Sequence, residues 1–118
     1  THIYLYSTSA IRFDTIQRRF PTAHIEKANG TTLLTLEGRL DTTTAPELEK
    51  EINAEGDALK SLVLDFKGVD YISSAGLRVL LTAQKKMNAQ GYMELRGVSE
   101  AVMDVFEMTG FADILVIR

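Results

Sequence analysis

Residues 61–66, Ser-Leu-Val-Leu-Asp-Phe, form a compact apolar run that leads into Asp70-Tyr71-Ile72-Ser73-Ser74-Ala75-Gly76-Leu77, after which a helical pattern begins. A short apolar segment bounded in this way reads as a central strand buried on both faces. Beyond it Gly76, Val79, Leu80, Ala83 and Met87 recur at the spacing of one helical face, flanked by Leu77 and Leu81. Arg78, Thr82, Lys85 and Lys86 fall on the opposite face. Gly91 ends the helix and Tyr92 to Arg96 reads as a further strand. A buried strand, a helix and a second strand in succession imply a parallel crossover, so the chain needs a sheet with helices packed against it.

The flanking segments extend this pattern. Ala23 to Ala28 and Thr31 to Glu37 read as two strands joined by Asn29-Gly30, a strong hairpin signal. Gly38-Arg39-Leu40-Asp41 reads as a short loop before a helix over Pro46 to Asn53. Thr44 and Glu47 match a capping box, with Pro46 in the first turn and Leu48 and Ile52 as the buried stripe. A third helix is capped by Ser99, buried through Ala101, Val102, Val105, Phe106 and Met108, and stopped by Gly110. Ile114 to Ile117 reads as a last strand. The expected fold is α/β: a mixed sheet of four to six strands with helices mainly on one face. Residues 1–20 differ. Ile3 to Tyr6 could form a strand, and Ile11, Ile16 and Phe20 a weak helix broken by Pro21, so this stretch is expected to be an arm or leader packed on a domain of residues 21–118.

Composition narrows the function. A 118-residue chain is one domain's length, and 45% hydrophobic with 25% charged residues is ordinary for a globular protein. The net charge of −3 and the lack of any basic cluster beyond Arg18-Arg19 and Lys85-Lys86 argue against nucleic acid. With no cysteine, thiol catalysis and disulfides are excluded, and the isolated His2 and His24 belong to no metal-ligand motif, so neither metal nor cofactor is expected. No apolar run approaches the ~18–20 residues of a membrane span and no secretory signal is recognisable, which suits the cytoplasm.

The strand–helix junction carries the chemistry. Its two hydroxyls sit where backbone N–H groups and the positive end of a helix dipole meet solvent. A serine there can cap the helix, act as a nucleophile, or receive a phosphate. The nucleophile reading is weak: a G-x-S-x-G elbow would need glycine at Ile72, and no histidine follows His24. No phosphate-cradling glycine motif is present. Asp104 and Glu107, with Glu100 a turn earlier, read as a solvated acidic face or, less simply, as a partner contact. Cap and phosphorylation site are compatible, because a helix N-terminus accommodates a phosphate while the surface gains a charge of about −1.5 to −2.

The segment Leu62 to Leu77 closely resembles the central signature of STAS domains, in particular bacterial anti-sigma factor antagonists. Gly38 to Leu48 and Val105 to Leu115 agree as well, in order and spacing. The resemblance implies a non-enzymatic regulator that works by partner switching. Its unphosphorylated form would bind an anti-sigma factor that is also a serine kinase, freeing a sigma factor. Phosphorylation of one junction serine would end the complex, and a serine phosphatase would restore it. Carried over by position, the phosphoacceptor is Ser74, with Ser73, which stands where many members have aspartate, as the alternative. The implied partner surface comprises Asp41, Thr42, Ser73, Ser74 and Arg78, on a monomer or weak dimer. A STAS module of another regulatory, scaffold, lipid-transport or ligand-binding complex, without phosphorylation, is the alternative function.

Overall fold

A computed structural model describes residues 7–8, 24–28 and 31–118. One sheet runs in the order β1 (Ser7–Thr8), β2 (His24–Ala28), β3 (Thr31–Leu40), β4 (Ser61–Ile72), β5 (Tyr92–Arg96). Three helices lie between or after the last three strands: α1 (Ala45–Asn53), α2 (Ser74–Gln90) and α3 (Glu100–Thr109). β1–β2 and β2–β3 pair antiparallel, whereas β3–β4 and β4–β5 pair parallel, as helical crossovers require. The architecture is the mixed α/β sheet expected. Only β3, β4 and β5 form its parallel body, and the strand number reaches five through the antiparallel edge. Ala28 pairs with Thr31, the register of a two-residue hairpin, although Asn29-Gly30 itself lies outside the described residues. The strand expected over Ile3 to Tyr6 and the helix expected through Ile11, Ile16 and Phe20 also lie outside them.

Period-two alternation decides which side chains meet the helices. Leu34, Leu64 and Leu95 stand in one cross-strand row, and Leu62 and Met93 in the next. All five are buried in one contiguous cluster with Leu48 and Ile52 of α1, Val79, Leu80, Ala83 and Met87 of α2, and Val102 and Phe106 of α3. Phe66 closes the cluster against Phe106 with ring centroids 6.5 Å apart and planes tilted by 53°. Burying each such side chain is worth roughly 1.5–3 kcal/mol, so this face supplies most of the folding drive. On the other face the row is Leu33, Val63 and Glu94.

Several sequence expectations need correction. β3 does not end at Glu37: it continues through Gly38-Arg39-Leu40, which therefore is strand rather than loop. Register shifts at Thr35/Glu37 and Gly38/Arg39 absorb the irregularity, and Gly38 takes φ 97°, a conformation costly for any side chain. β4 correspondingly runs past Phe66 to Ile72, and Gly68 is one of its strand positions. A Cβ there would lie 2.7 Å from Cγ of the exposed Glu37, so that side chain would have to shift to admit one. Met108 is 83% exposed and Ala101 is exposed, while Val105 is only partly covered. The buried stripe of α3 is narrower than its apolar content suggested. The expected strand 114–117 reduces to one bridge, Leu95 to Ile117. After Gly110 (φ 84°) a 3-10 turn over Phe111–Asp113 holds the backbone through Leu115, whose N–H donates to the Phe111 carbonyl, leaving only the last residues to reach β5.

Two tests follow from the packing. Glu94 is 7% exposed and accepts from the Tyr92 hydroxyl at 2.8 Å and from Arg96 Nε, with Arg118 Nε 3.7 Å away. Burial raises the Glu94 carboxyl, but the hydrogen bonds from Arg96 and Tyr92 and the charges of Arg96 and Arg118 outweigh it and leave the group below the ordinary glutamate range. A lowered folded-state value stabilises fully above the unfolded value and is lost as pH falls through the folded one. Melting curves between about pH 6 and pH 3 should show stability falling on acidification, with a shallower fall in Glu94→Gln; identical slopes would contradict the assignment. The second test concerns Gly76 in the first turn of α2. A Cβ there would lie 2.8 Å from Ile72 Cγ1, 2.9 Å from Leu40 Cγ and 2.9 Å from the Leu40 carbonyl oxygen. Gly76→Ala should destabilise by about 1–3 kcal/mol in denaturant unfolding, and an unchanged midpoint would show that α2 can lift away without cost.

Candidate functional site

The junction is the continuation of β3–β4 pairing. The register reaches Leu40 and Ile72, and one further bond, from the Ser73 N–H to the Leu40 carbonyl at 2.9 Å, ties the first residue after β4 to the end of β3. Ser73 is still extended (φ −103°, ψ 176°), the conformation an N-cap residue needs. Its hydroxyl accepts from the Gly76 N–H at 3.4 Å and its carbonyl accepts from the Leu77 N–H at 2.9 Å. Ser73 therefore does the capping. Ser74 is the first helical residue, it is exposed, and its hydroxyl has no hydrogen-bond partner among the described residues. Of the two serines, the one one position into the helix presents a free Oγ at the positive end of a 17-residue helix.

A second helix starts at the same edge. Asp41 follows Leu40, and its Oδ1 accepts from the N–H groups of Thr43 (3.0 Å) and Thr44 (3.1 Å), while its carbonyl accepts from Ala45 N–H (2.8 Å). The cap of α1 is thus Asp41, and the capping box expected from Thr44 and Glu47 does not form. Thr44 is already helical (φ −95°, ψ −23°), which turns its hydroxyl away from the amide that a cap would accept from. That hydroxyl instead accepts from Asp41 N–H at 2.8 Å and donates to the Arg39 carbonyl at 2.7 Å, buried beneath the loop. Burial raises the Asp41 carboxyl, but bonds from the Thr44 and Thr43 amides and the Thr44 hydroxyl, with the Arg39 charge, lower it on balance. Asp41 is an anion whose first task is holding its own loop.

Between α1 and α2 lies an open groove of about 230 Å³ lined by Thr42, Pro46, Glu49, Ala75, Arg78 and Thr82, among others. The structure therefore brings the five expected residues to one neighbourhood: Thr42 and Arg78 on the groove, Ser73 and Ser74 at the start of α2, and Asp41 at the start of α1. Two neighbours escaped the sequence reading. The Arg39 guanidinium lies 3.9 Å from the centroid of the Tyr71 ring, and its Nε is 3.7 Å from Asp41 Oδ2. Both Arg39 and Tyr71 are on the surface, paired across β3 and β4. Treating 38–41 as loop hid that pairing. The only signal was the Arg39–Tyr71 register itself, which needs the bulges to be known first.

Residues 31–118 contain no histidine, so no serine–histidine pair forms among them. Among the described residues no group of three His, Cys, Asp or Glu could hold a metal, and no helix is long and apolar enough to cross a membrane.

Comparison with known proteins agrees with this geometry. The family model for the STAS domain matches residues 22–118. BtrV of Bordetella bronchiseptica RB50, provisionally named an anti-sigma factor antagonist, is 38% identical over 92 residues, which is 76% of this chain and 79% of BtrV. The crystal structure of an anti-sigma factor antagonist from Mycobacterium paratuberculosis superposes with a TM-score of 0.74 at 26% identity, covering 82% of this chain and 84% of that one. The unphosphorylated form of the anti-sigma factor antagonist SpoIIAA shares the fold, with a TM-score of 0.70 at 20% identity over 82% of this chain and 88% of its own. The match over residues 22–118 and the extended similarity to BtrV place this chain in the STAS domain family, among its anti-sigma factor antagonists.

Proposed function

We propose that this protein is a partner-switching regulator whose state is written on Ser74. In its unmodified form it binds an anti-sigma factor that is also a serine kinase, and so releases a sigma factor in the cytoplasm. The kinase transfers the γ-phosphoryl group of a nucleoside triphosphate to Ser74 Oγ: the new O–P bond forms as the bond to the departing diphosphate breaks, and the hydroxyl proton passes to a base on the kinase. A serine phosphatase returns the hydroxyl by hydrolysis. The protein itself supplies no catalytic group.

The observation that carries this reading is the division of labour between the two serines. Ser73 is occupied as the helix cap, while Ser74 is exposed in the first helical turn beside a groove lined by Thr42 and Arg78. A phosphate on Ser74 leaves the cap and the Leu40 contact intact, so the fold survives. What changes is a dianion in a surface that must pack against a partner. Stranding such a charge costs roughly 2–5 kcal/mol, and each ~1.4 kcal/mol is tenfold in affinity. Asp41 serves the interface by fixing the α1 loop and by presenting Oδ2 beside Arg39.

Titration calorimetry against a candidate serine-kinase anti-sigma factor tests the switch. Ser74→Ala should keep binding within a factor of about two, and Ser74→Asp should weaken it about ten- to hundredfold. Equal affinity of the Asp and Ala variants would overturn the switch and favour a STAS module that works without phosphorylation.

A further inference from the structure

The outer face of α3 has a composition that its place in the fold does not account for. Ala101, Val105, Met108 and Ala112 follow one another at i, i+4, i+7 and i+11, the spacing of a helical stripe that continues into the 3-10 turn; Ala101 and Met108 are exposed, while Val105 and Ala112 are half-covered where they pack against the core. The inward stripe is a different one, Val102 and Phe106. Met108 is 83% exposed and Ile114, just beyond, is 46% exposed. An exposed methionine with a neighbouring isoleucine is an adaptable apolar contact surface. Beside this stripe run Glu100, Asp104 and Glu107, with Asp113 after the helix, all exposed. No lysine or arginine occurs from residue 99 to 117, so the rim carries a single sign of charge. The Val116–Arg118 segment returns parallel beside β5, so α3 must run back along the sheet. Met108 therefore lies toward the sheet end opposite Ser74.

We infer that the outer face of α3 is a second docking surface, which takes a cationic amphipathic helix from a protein partner. Met108 and Ile114, with Ala101 and the uncovered edges of Val105 and Ala112, provide the apolar contacts for a partner helix, and the acidic rim selects lysines and arginines flanking that helix's own apolar face. The negative rim repels an anionic membrane surface, which removes the other common receiver of an exposed amphipathic face. This surface is separate from the Ser74 site and does not depend on it. A partner held here would stay bound while the Ser74 end exchanges its own.

The test uses the full chain, isotopically labelled, titrated with a synthetic leucine–lysine amphipathic helix and with a leucine–glutamate helix of the same pattern. Amide shifts should concentrate on residues 100–115 with the lysine peptide and be absent with the glutamate peptide. Met108→Ser, which touches no core residue and should melt with the parent protein, is expected to weaken binding about tenfold. Asp104→Asn with Glu107→Gln should weaken it several-fold and flatten its salt dependence, and Ser74→Asp should bind the peptide as the parent does. Shifts spread over other acidic segments such as α1, or affinity indifferent to Met108→Ser, would overturn the assignment. So would concentration-dependent broadening without peptide that vanishes in Met108→Ser, because that would give the face to a second copy, through the basic residues Arg78, Lys85 and Lys86 of α2.

Discussion

Parallel pairing between β3 and β4, carried through two register shifts to Leu40 and Ile72, is the constraint on which the rest of this structure depends. Because the two strands end together, the loops that follow them begin together, and α1 and α2 start side by side at one edge of the sheet. The Ser73 N–H to Leu40 carbonyl bond extends that pairing into the helix cap, and the absent Cβ of Gly76 lets the first turn of α2 rest on the Leu40 backbone. Asp41 and Ser73 then each cap the helix that follows their own strand. The two register shifts each set one extra residue of β4 against β3, and across them the strands still finish level at Leu40 and Ile72.

How much of this can be read from residues alone depends on the range of the interaction involved. The apolar run 61–66 and the 3.6-residue pattern after Ser74 are local and strong, so β4 and α2 are legible, as are β5 and the Ser99 cap of α3. The extension of β3 through 38–40 is not, because Gly-Arg-Leu-Asp carries turn propensity that only the partner strand overrides. The Thr44–Glu47 pattern misleads for a related reason: Asp41, three residues earlier, holds the Thr43 and Thr44 amides, and the Thr44 hydroxyl is engaged with the Asp41 N–H and the Arg39 carbonyl instead of an amide of α1. The C-terminal segment failed differently, since Gly110 launches a 3-10 turn where alternation suggested a strand. Met108 fits a helical apolar pattern, yet α3 is pinned by Val102 and Phe106, and a helix so rotated leaves Met108 in solvent.

The candidate site was legible as a set of residues but not as a division of roles. Sequence alone put both serines at the junction. Only the backbone angles distinguish an extended Ser73, whose hydroxyl can turn back to the Gly76 amide, from a helical Ser74, whose hydroxyl cannot. The distinction matters physically. A phosphate on the cap would compete with the bond that starts α2, whereas a phosphate one residue later alters the surface and spares the fold. A switch built on the second position is reversible without refolding, which is what repeated exchange between partners demands.

The most direct measurement is residue-resolved mapping of phosphate on the native chain after incubation with the proposed serine-kinase partner and nucleoside triphosphate, by fragmentation mass spectrometry of the peptide that contains both serines. A single phosphate on Ser74 is expected, with Ser73 unmodified and amide dispersion unchanged in the phosphorylated protein. Phosphate on Ser73, or a chain that takes up none while still binding the kinase, would contradict it.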